Sequence, residues 1–436
     1  MSKPRLAIIG SGIGGLALAV ALSRLGVDKA VDIDIYEATT KLAQVGAGIT
    51  LWPRGWEILE LLGVGAALSV HDSISADEVG LERDNVPAFS YRKSDRAEGV
   101  PIVDVCVPGG PRPFHRADVQ DVLLGAISSS IRTHLSHRLV SYEETPSGIV
   151  LKFQNGTTAH CDMVVGADGV NSAVRRCLVE SGRISNPDCA EPRWTGTNVY
   201  RGLIASDVIR RVSPNHRALH MPMMYCGKNK ASHVVAFPVL QGKLTNVVMF
   251  VSDPEKEGSL LEGPAVQNTT SDDLFALYAG WEDDVQCIVQ NFKNPSKWAI
   301  QTVGPLDKYA ESGIFLLGDA AHAMSLHLGN GAGQAIEDAY FLANILDKGI
   351  SKGASIEEIS QVYNRIRQPW GNFVVEATRL QGRLYEFSNT TFESVKEGDE
   401  VAPETLKELG NKIRDGWGWT WKNSSSVPLR EGLAKL

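Results

Sequence analysis

Gly313-Ile-Phe-Leu-Leu-Gly-Asp319-Ala-Ala-His322, followed by Leu328-Gly-Asn-Gly-Ala-Gly333-Gln-Ala-Ile-Glu-Asp338, decides the fold. An apolar run, read as a buried strand, ends in Gly318-Asp319, and a glycine-rich turn then opens a helix. The free N–H groups and dipole at such a helix start attract anionic ligand groups. Leu6-Ala-Ile-Ile-Gly10-Ser-Gly12-Ile-Gly-Gly15 offers a second site of the same kind, some 300 residues earlier. Two such sites so far apart imply one long cofactor held at both ends. A nicotinamide dehydrogenase needs only the first; a flavin enzyme needs both.

The glycines acquire meaning from their context. Gly10-x-Gly12-x-x-Gly15 follows an expected strand (Arg5–Ile9), opens an expected helix (Gly14–Leu25), and precedes the strand Val31–Tyr36 with Glu37 at its end. In that setting the first glycine permits the turn, the second lets a pyrophosphate approach, and the third allows close helix–strand packing. Glu37 then accepts hydrogen bonds from ribose hydroxyls; the competing reading is a structural turn beside a solvated glutamate. Met163-Val-Val-Gly166-Ala-Asp168-Gly169 is a third strand-to-turn segment, followed by a basic helix start that includes Arg175. Asp168 there reads either as a helix cap or as a residue beside the cofactor.

Composition sets the outer limits. The 436 residues suffice for one large domain or two to three smaller ones, and 43% hydrophobic with 22% charged residues is ordinary globular usage. A formal charge of −8 argues against bulk association with nucleic acid or an anionic membrane. Six scattered cysteines, without a C-x-x-C pair, fit neither a zinc site nor a disulfide framework, so a reducing compartment is the default. Lys3 and Arg5 before the uncharged stretch Leu6 to Ser23 superficially resemble a signal sequence, but four glycines dilute it and no cleavage pattern follows. The expectation is a strand–turn–helix in a cytoplasmic protein, with no metal site.

Further along, the sequence predicts a helix from Pro53 toward Leu62 and another from Arg116 to about Ser130. Strands are expected near Ile149–Phe153 and Met163–Val165. Thr197–Ala205, Ala218–Met224, Ser232–Leu240 and Leu244–Val251 predict a separate antiparallel sheet, with a smaller strand pair within Glu78–Arg92. Helices are expected over Gly331 to about Asp347 and Ser355 to about Tyr385, the second interrupted at Pro369. The tail carries Trp417, Trp419 and Trp421. The fold class is α/β: a discontinuous Rossmann-like unit (1–75, 104–182 and 292–350), an antiparallel-sheet substrate unit (76–103 and 183–291), and a C-terminal helical segment (351–436).

With His115-Arg116-Ala-Asp118 added, these segments in this order resemble the class A FAD-dependent aromatic monooxygenases, especially the salicylate hydroxylase-like members. The resemblance covers nearly the whole chain. It implies the para-hydroxybenzoate hydroxylase fold and tightly bound FAD, with NADH or NADPH as a transient reductant. The reaction it implies is hydroxylation of a small phenol through a flavin C4a-hydroperoxide. It assigns Gly10, Gly12, Gly15 and Glu37 to the ADP half of FAD, and places the loop Gly46-Ala-Gly48 and Arg116 beside the cofactor. Asp319 is assigned to the ribityl hydroxyls, and Gly331 and Ala332 to the carbonyl end of the flavin ring. Asp168 and Arg175 fall near the route of the reductant. Relatives usually carry Pro and Gln where this chain has Leu326 and Leu328, which implies a looser or differently shaped loop over the flavin.

On the substrate side, Arg201 shares a strand face with Val199 and Leu203, so a guanidinium there can hold a carboxylate or phenolate by paired hydrogen bonds, or form a structural ion pair. His233, on one face with Phe237, is a candidate for assisting phenol deprotonation or a structural histidine. Some relatives place a tyrosine near Phe237, so a tyrosine route is not expected here. The leading expectation is salicylate-type oxidative decarboxylation, beside ring hydroxylation or dearomatisation of a larger phenol. A flavin dehydrogenase or oxidase, and a non-catalytic flavin-binding module, are the readings from other classes. Expected partners are O2, NAD(P)H and a small phenol, with no nucleic acid and no membrane, on a monomer or homodimer.

Overall fold

A computed structural model describes residues 3–42, 48–71, 86–228 and 231–436. Two large sheets organise them, beside a three-stranded sheet and a two-stranded ribbon. The first has six strands in the order Ala310–Glu311, Ile314–Leu316, Met163–Gly166, Arg5–Ile9, Asp32–Tyr36 and Arg132–His134. All pairings are parallel except the hairpin between the first two. Its central strands are nearly continuous apolar runs because helices or loops cover both faces. The helix Ile13–Leu25 is buried from Ile13 to Leu22, so the signal-like stretch is the core helix of this unit. Among the described residues no helix is long and apolar enough to cross a membrane.

The second sheet has eight strands. Its order is Val266–Asn268, Ser296–Thr302, Arg193–Ala205, Leu244–Ser252, Ala231–Val239, Met223–Cys226, Val86–Lys93 and Val100–Val107. One pairing, Met223–Cys226 with Val86–Lys93, is parallel; the rest are antiparallel. Alternation along the strands divides its core in two. Tyr200, Val234, Val247 and Met249 pack on one face under short helices. Val199, Val235, Val248 and Phe250 pack on the other, against Met324, Leu328 and the C-terminal helices. That second face looks toward the parallel-sheet unit, and the site lies between them.

Several expectations shift. The predicted strand over 218–224 is a short 3-10 turn at Arg217–Leu219 followed by a strand at Met223–Cys226. His216 caps that turn by accepting from the Ala218 N–H, which the apolar alternation did not signal. The helix from Arg116 ends at Ala126 rather than near Ser130. The strand pair expected within 78–92 forms further along, as Val86–Lys93 with Val100–Val107; residues 78–85 lie outside the described chain. Helix Ile356–Tyr385 runs for 30 residues through Pro369 without a break. Proline removes one N–H and crowds the preceding turn, yet the helix is locked on both sides of it by buried Arg367 and by Asn372 bonding to the Leu306 carbonyl. A capping box between Ser355 and Glu358 secures its start.

Candidate active site

At the N-terminal turn, each glycine has a separate physical reason. A Cβ on Gly10, where φ is +103°, would fall 2.4 Å from the Ala167 carbonyl oxygen, and one on Gly15 would fall 2.1 Å from that of Gly10. Those two contacts seat the helix against the sheet. A Cβ on Gly12 would meet nothing within 4 Å, so that position faces open space where a ligand can approach. The helix that follows has no side-chain cap and no acid in its first turn, leaving its donors free. Glu37 sits beside the turn. Its carboxylate accepts from the Ser11 N–H (2.9 Å) and hydroxyl (2.6 Å) and from the Thr39 N–H (2.9 Å). Burial works against its ionisation, but the Ser11 and Thr39 donors outweigh it and hold the pKa below the ordinary value.

The second anion-seeking helix, Gly331–Lys352, is likewise uncapped by any side chain and has no acid in its first turn. It lies close to the first helix: a Cβ on Gly14 would fall 2.6 Å from Leu317 Cδ1 and 3.2 Å from Ala335 Cβ. Asp319 is exposed among buried neighbours and has no hydrogen-bond partner among the described residues. Gly331 opens onto it, with Asp319 Oδ1 the sole atom within 4 Å of an added Cβ, and Ala332 is half-buried beside it. Gly48 pairs with His115 in a two-stranded ribbon that sets Gly48 next to exposed Arg116; Gly46 and Ala47 lie outside the described residues.

Asp168 takes the capping role. Its carboxylate accepts from the Ser172 hydroxyl and from the Ala173 (2.8 Å) and Val174 (3.3 Å) N–H groups at the next helix start, and burial raises its pKa despite these bonds. It also lies against the dinucleotide turn, its Cα 3.2 Å from where a Gly10 Cβ would be. Arg175, by contrast, is fully buried and donates to the carbonyls of Val170, Cys189, Ala190 and Ala320. It braces the interior through these carbonyls.

The loop joining Asp319 to the second helix is anchored at Ser325 and Leu328, while Leu326, which replaces the proline of relatives, is exposed. Leu328 is buried; its carbonyl accepts from Trp52 Nε1 (3.0 Å) and its N–H donates to Thr378 Oγ1 (3.2 Å). The same hydroxyl donates to the Ser325 carbonyl (3.0 Å).

Across from this loop stands the antiparallel sheet. Register places Val199, Phe250 and His233 in one row and Arg201, Val248 and Val235 in the next, all on the inner face. Ordinary strand spacing and rise then separate the Arg201 and His233 Cα atoms by roughly 12 Å. Arg201 lies over the Trp298 ring at 5.8 Å and has no carboxylate partner among the described residues. Burial, reinforced by the nearby Arg116 guanidinium, lowers its pKa. Leu203 on the same strand face is 57% exposed, so the apolar surroundings of Arg201 open toward solvent there.

His233 is fully buried and stacks on Phe250 with centroids 3.9 Å apart. Neither ring nitrogen has a hydrogen bond; the nearest anion is Glu386, with Oε1 3.6 Å from Nδ1. His327, from the flavin-side loop, brings its ring within 5.2 Å of His233 and also leaves Nδ1 unpaired. Burial pushes the pKa of each down to about 3, so both rings are neutral at physiological pH. A buried imidazole without partners is costly, and two facing each other mark a place where a ligand hydroxyl can bond. Nothing local in the sequence signals a role for His327, because the strand that faces it is about 95 residues away in the chain.

The FAD-binding domain family matches residues 5–378, spanning both helix starts. The chain belongs to the class A FAD-dependent monooxygenases. A salicylate hydroxylase of Pseudomonas putida is 30% identical, over 99% of this chain and 95% of that one. The 6-methylsalicylate 1-monooxygenase of Aspergillus terreus is 34% identical, over 89% and 84%. The solved salicylate hydroxylase–substrate complex superposes with a TM-score of 0.83 at 30% identity, covering 99% of this chain and 98% of that one. This monooxygenase therefore has the expected salicylate hydroxylase-like fold, with a parallel FAD-binding sheet and an antiparallel substrate sheet. Its residues fit the dinucleotide: the open Gly12, the two uncapped helix starts and the unpartnered Asp319 are what a long anionic cofactor with a polyol linker requires.

Proposed function

We propose that this monooxygenase hydroxylates a small aromatic acid that carries a phenolic hydroxyl, with salicylate-type oxidative decarboxylation as the leading outcome. One observation carries the reading. A guanidinium with no acidic partner and the unpaired His233 imidazole share one inner sheet face, and His327, from the loop that joins Asp319 to the second helix start, brings its ring opposite His233. In this reading Arg201 binds the substrate carboxylate by paired hydrogen bonds. His233, neutral, accepts from the phenol hydroxyl and raises electron density on the ring, and neutral His327 donates its ring N–H to the same oxygen. The hydroxybenzoates named for the relatives carry both groups, which supports the same class here.

Segments 1–75, 104–182 and 292–350 would carry the cofactor, and 76–103 with 183–291 the substrate. Gly10, Gly12, Gly15 and Glu37 would hold the adenosine and pyrophosphate end, Arg116, Asp168 and Gly48 would border its middle, and Asp319, Gly331 and Ala332 would meet the ribityl chain and ring. When bound, FAD supplies electron transfer from NADH or NADPH and the activation of O2. The protein's share is orientation, exclusion of water and charge placement.

A screen of hydroxybenzoates for stimulated oxidation of NADH and NADPH, with product masses, tests this. Stimulation by 2-hydroxybenzoates, with loss of CO2, is the expected result. A flavin-loaded protein that no phenolic acid stimulates would contradict it.

A further inference from the structure

The C-terminal helix Pro403–Trp417 reaches the site through a chain of hydrogen bonds with a fixed direction. Trp417 Nε1 donates to Tyr91 Oη (2.9 Å). Tyr91 Oη and Tyr385 Oη are 3.2 Å apart, and Tyr385 Oη donates to the His327 carbonyl at a long 3.4 Å. An indole nitrogen can only donate and a carbonyl oxygen can only accept. The two ends therefore set the sense of the whole chain: Trp417 to Tyr91, Tyr91 to Tyr385, Tyr385 to His327. Trp417, Tyr91 and Tyr385 are buried almost completely, so water cannot substitute for a missing link.

The chain ends where placement matters. Three residues before Tyr385 on its helix, Gly382 leaves a notch for the His327 ring, since a Cβ there would fall 2.4 Å from Nε2. One helical turn thus fixes His327 twice, by its ring and by its carbonyl.

We infer that Trp417, Tyr91 and Tyr385 are positioning residues, a one-way hydrogen-bond chain from the C-terminal helix that holds His327 opposite His233. The inference rests on the proposed role of those histidines in meeting the substrate. Packing alone predicts equal effects for Tyr91→Phe and Tyr385→Phe, because each removes one oxygen. A directed chain predicts effects that grow toward the loop, from Trp417→Phe through Tyr91→Phe to Tyr385→Phe.

The test measures KM, kcat and the fraction of NAD(P)H oxidised that appears as hydrogen peroxide, on flavin-loaded enzyme with the stimulating aromatic acid. Tyr385→Phe is expected to raise KM about tenfold, the size of one buried hydrogen bond, with a smaller change in kcat and more peroxide. The Tyr91→Phe/Tyr385→Phe double variant is expected to be no worse than Tyr385→Phe alone. Crystal structures of the parent and of Tyr385→Phe give a second readout that needs no substrate: the 5.2 Å separation of the His233 and His327 rings should be lost in the variant. Equal effects of the two Tyr→Phe changes, or unchanged KM with unmoved rings, would overturn the inference. A parent enzyme that no aromatic acid stimulates defeats the proposed function instead, and the ring separation alone then decides whether the chain positions His327.

Discussion

Arg201, His233 and His327 are the residues proposed to meet the substrate, and each leads to a measurement. Arg201→Ala should weaken binding of the aromatic acid by roughly 2–5 kcal/mol, the cost of losing a desolvated charge contact. FAD should stay bound; KM and flavin content measured on the same preparation separate the two effects. The histidines predict a pH response whose sign follows from their shifts. In the unfolded chain each titrates near 6.5, whereas in the folded protein each is pushed down to about 3. Between those values the unfolded chain binds more protons, so stability falls as pH drops from 6.5 toward 3. The slope is about 1.4 kcal/mol per pH unit for each ring that has lost its ability to protonate. Denaturant unfolding across that range should show the fall, and His233→Gln should make it shallower.

Elements explain why part of this was legible and part was not. The turn at Gly10–Gly15 and the Gly318–Asp319 segment could be read because their meaning is local: a strand, a turn and a helix start within about fifteen residues. Arg201 was legible from strand alternation. His327 was not, since its partners are His233 and a notch at Gly382, both far away in the chain. Pro369 misled for a related reason: local rules break a helix there, whereas buried tertiary contacts carry it through. The notch gives a prediction of its own. Gly382→Ala should push the His327 ring aside and raise KM for the aromatic acid several-fold, roughly the effect of one lost hydrogen bond. Helix content and flavin content should stay as in the parent; circular dichroism and flavin absorbance check both.

Over the whole molecule, a buried charge network ties the cofactor side to the C-terminal helices. Arg54 pairs with Glu337 at 2.7 and 2.8 Å, Arg367 bonds both Glu337 and Asp338, and Asp338 accepts from His322 Nε2 and the Gly318 N–H. Burial opposes ionisation of Asp338, but His322 and Arg367 outweigh it and hold its pKa at about 2. The network thereby fixes the Gly318–Asp319 turn to helices that begin over 300 residues after the first glycine motif. Removing one partner strands a buried charge, so Arg367→Met should cost about 3–5 kcal/mol of stability. Flavin should be lost earlier in a thermal melt, which flavin fluorescence records. None of these pairings could be read from the sequence, because charge complementarity in a core becomes visible only when the segments meet.

Isotopic oxygen decides whether this FAD-dependent monooxygenase inserts oxygen into a phenolic acid. Turnover of a stimulating 2-hydroxybenzoate under 18O2, followed by mass analysis, should give a product that carries one 18O atom, with loss of CO2 if the salicylate-type course holds. NAD(P)H oxidation that leaves every aromatic product unlabelled, with all the 18O in peroxide or water, would contradict oxygen insertion and make the protein a flavin oxidase or dehydrogenase on this fold.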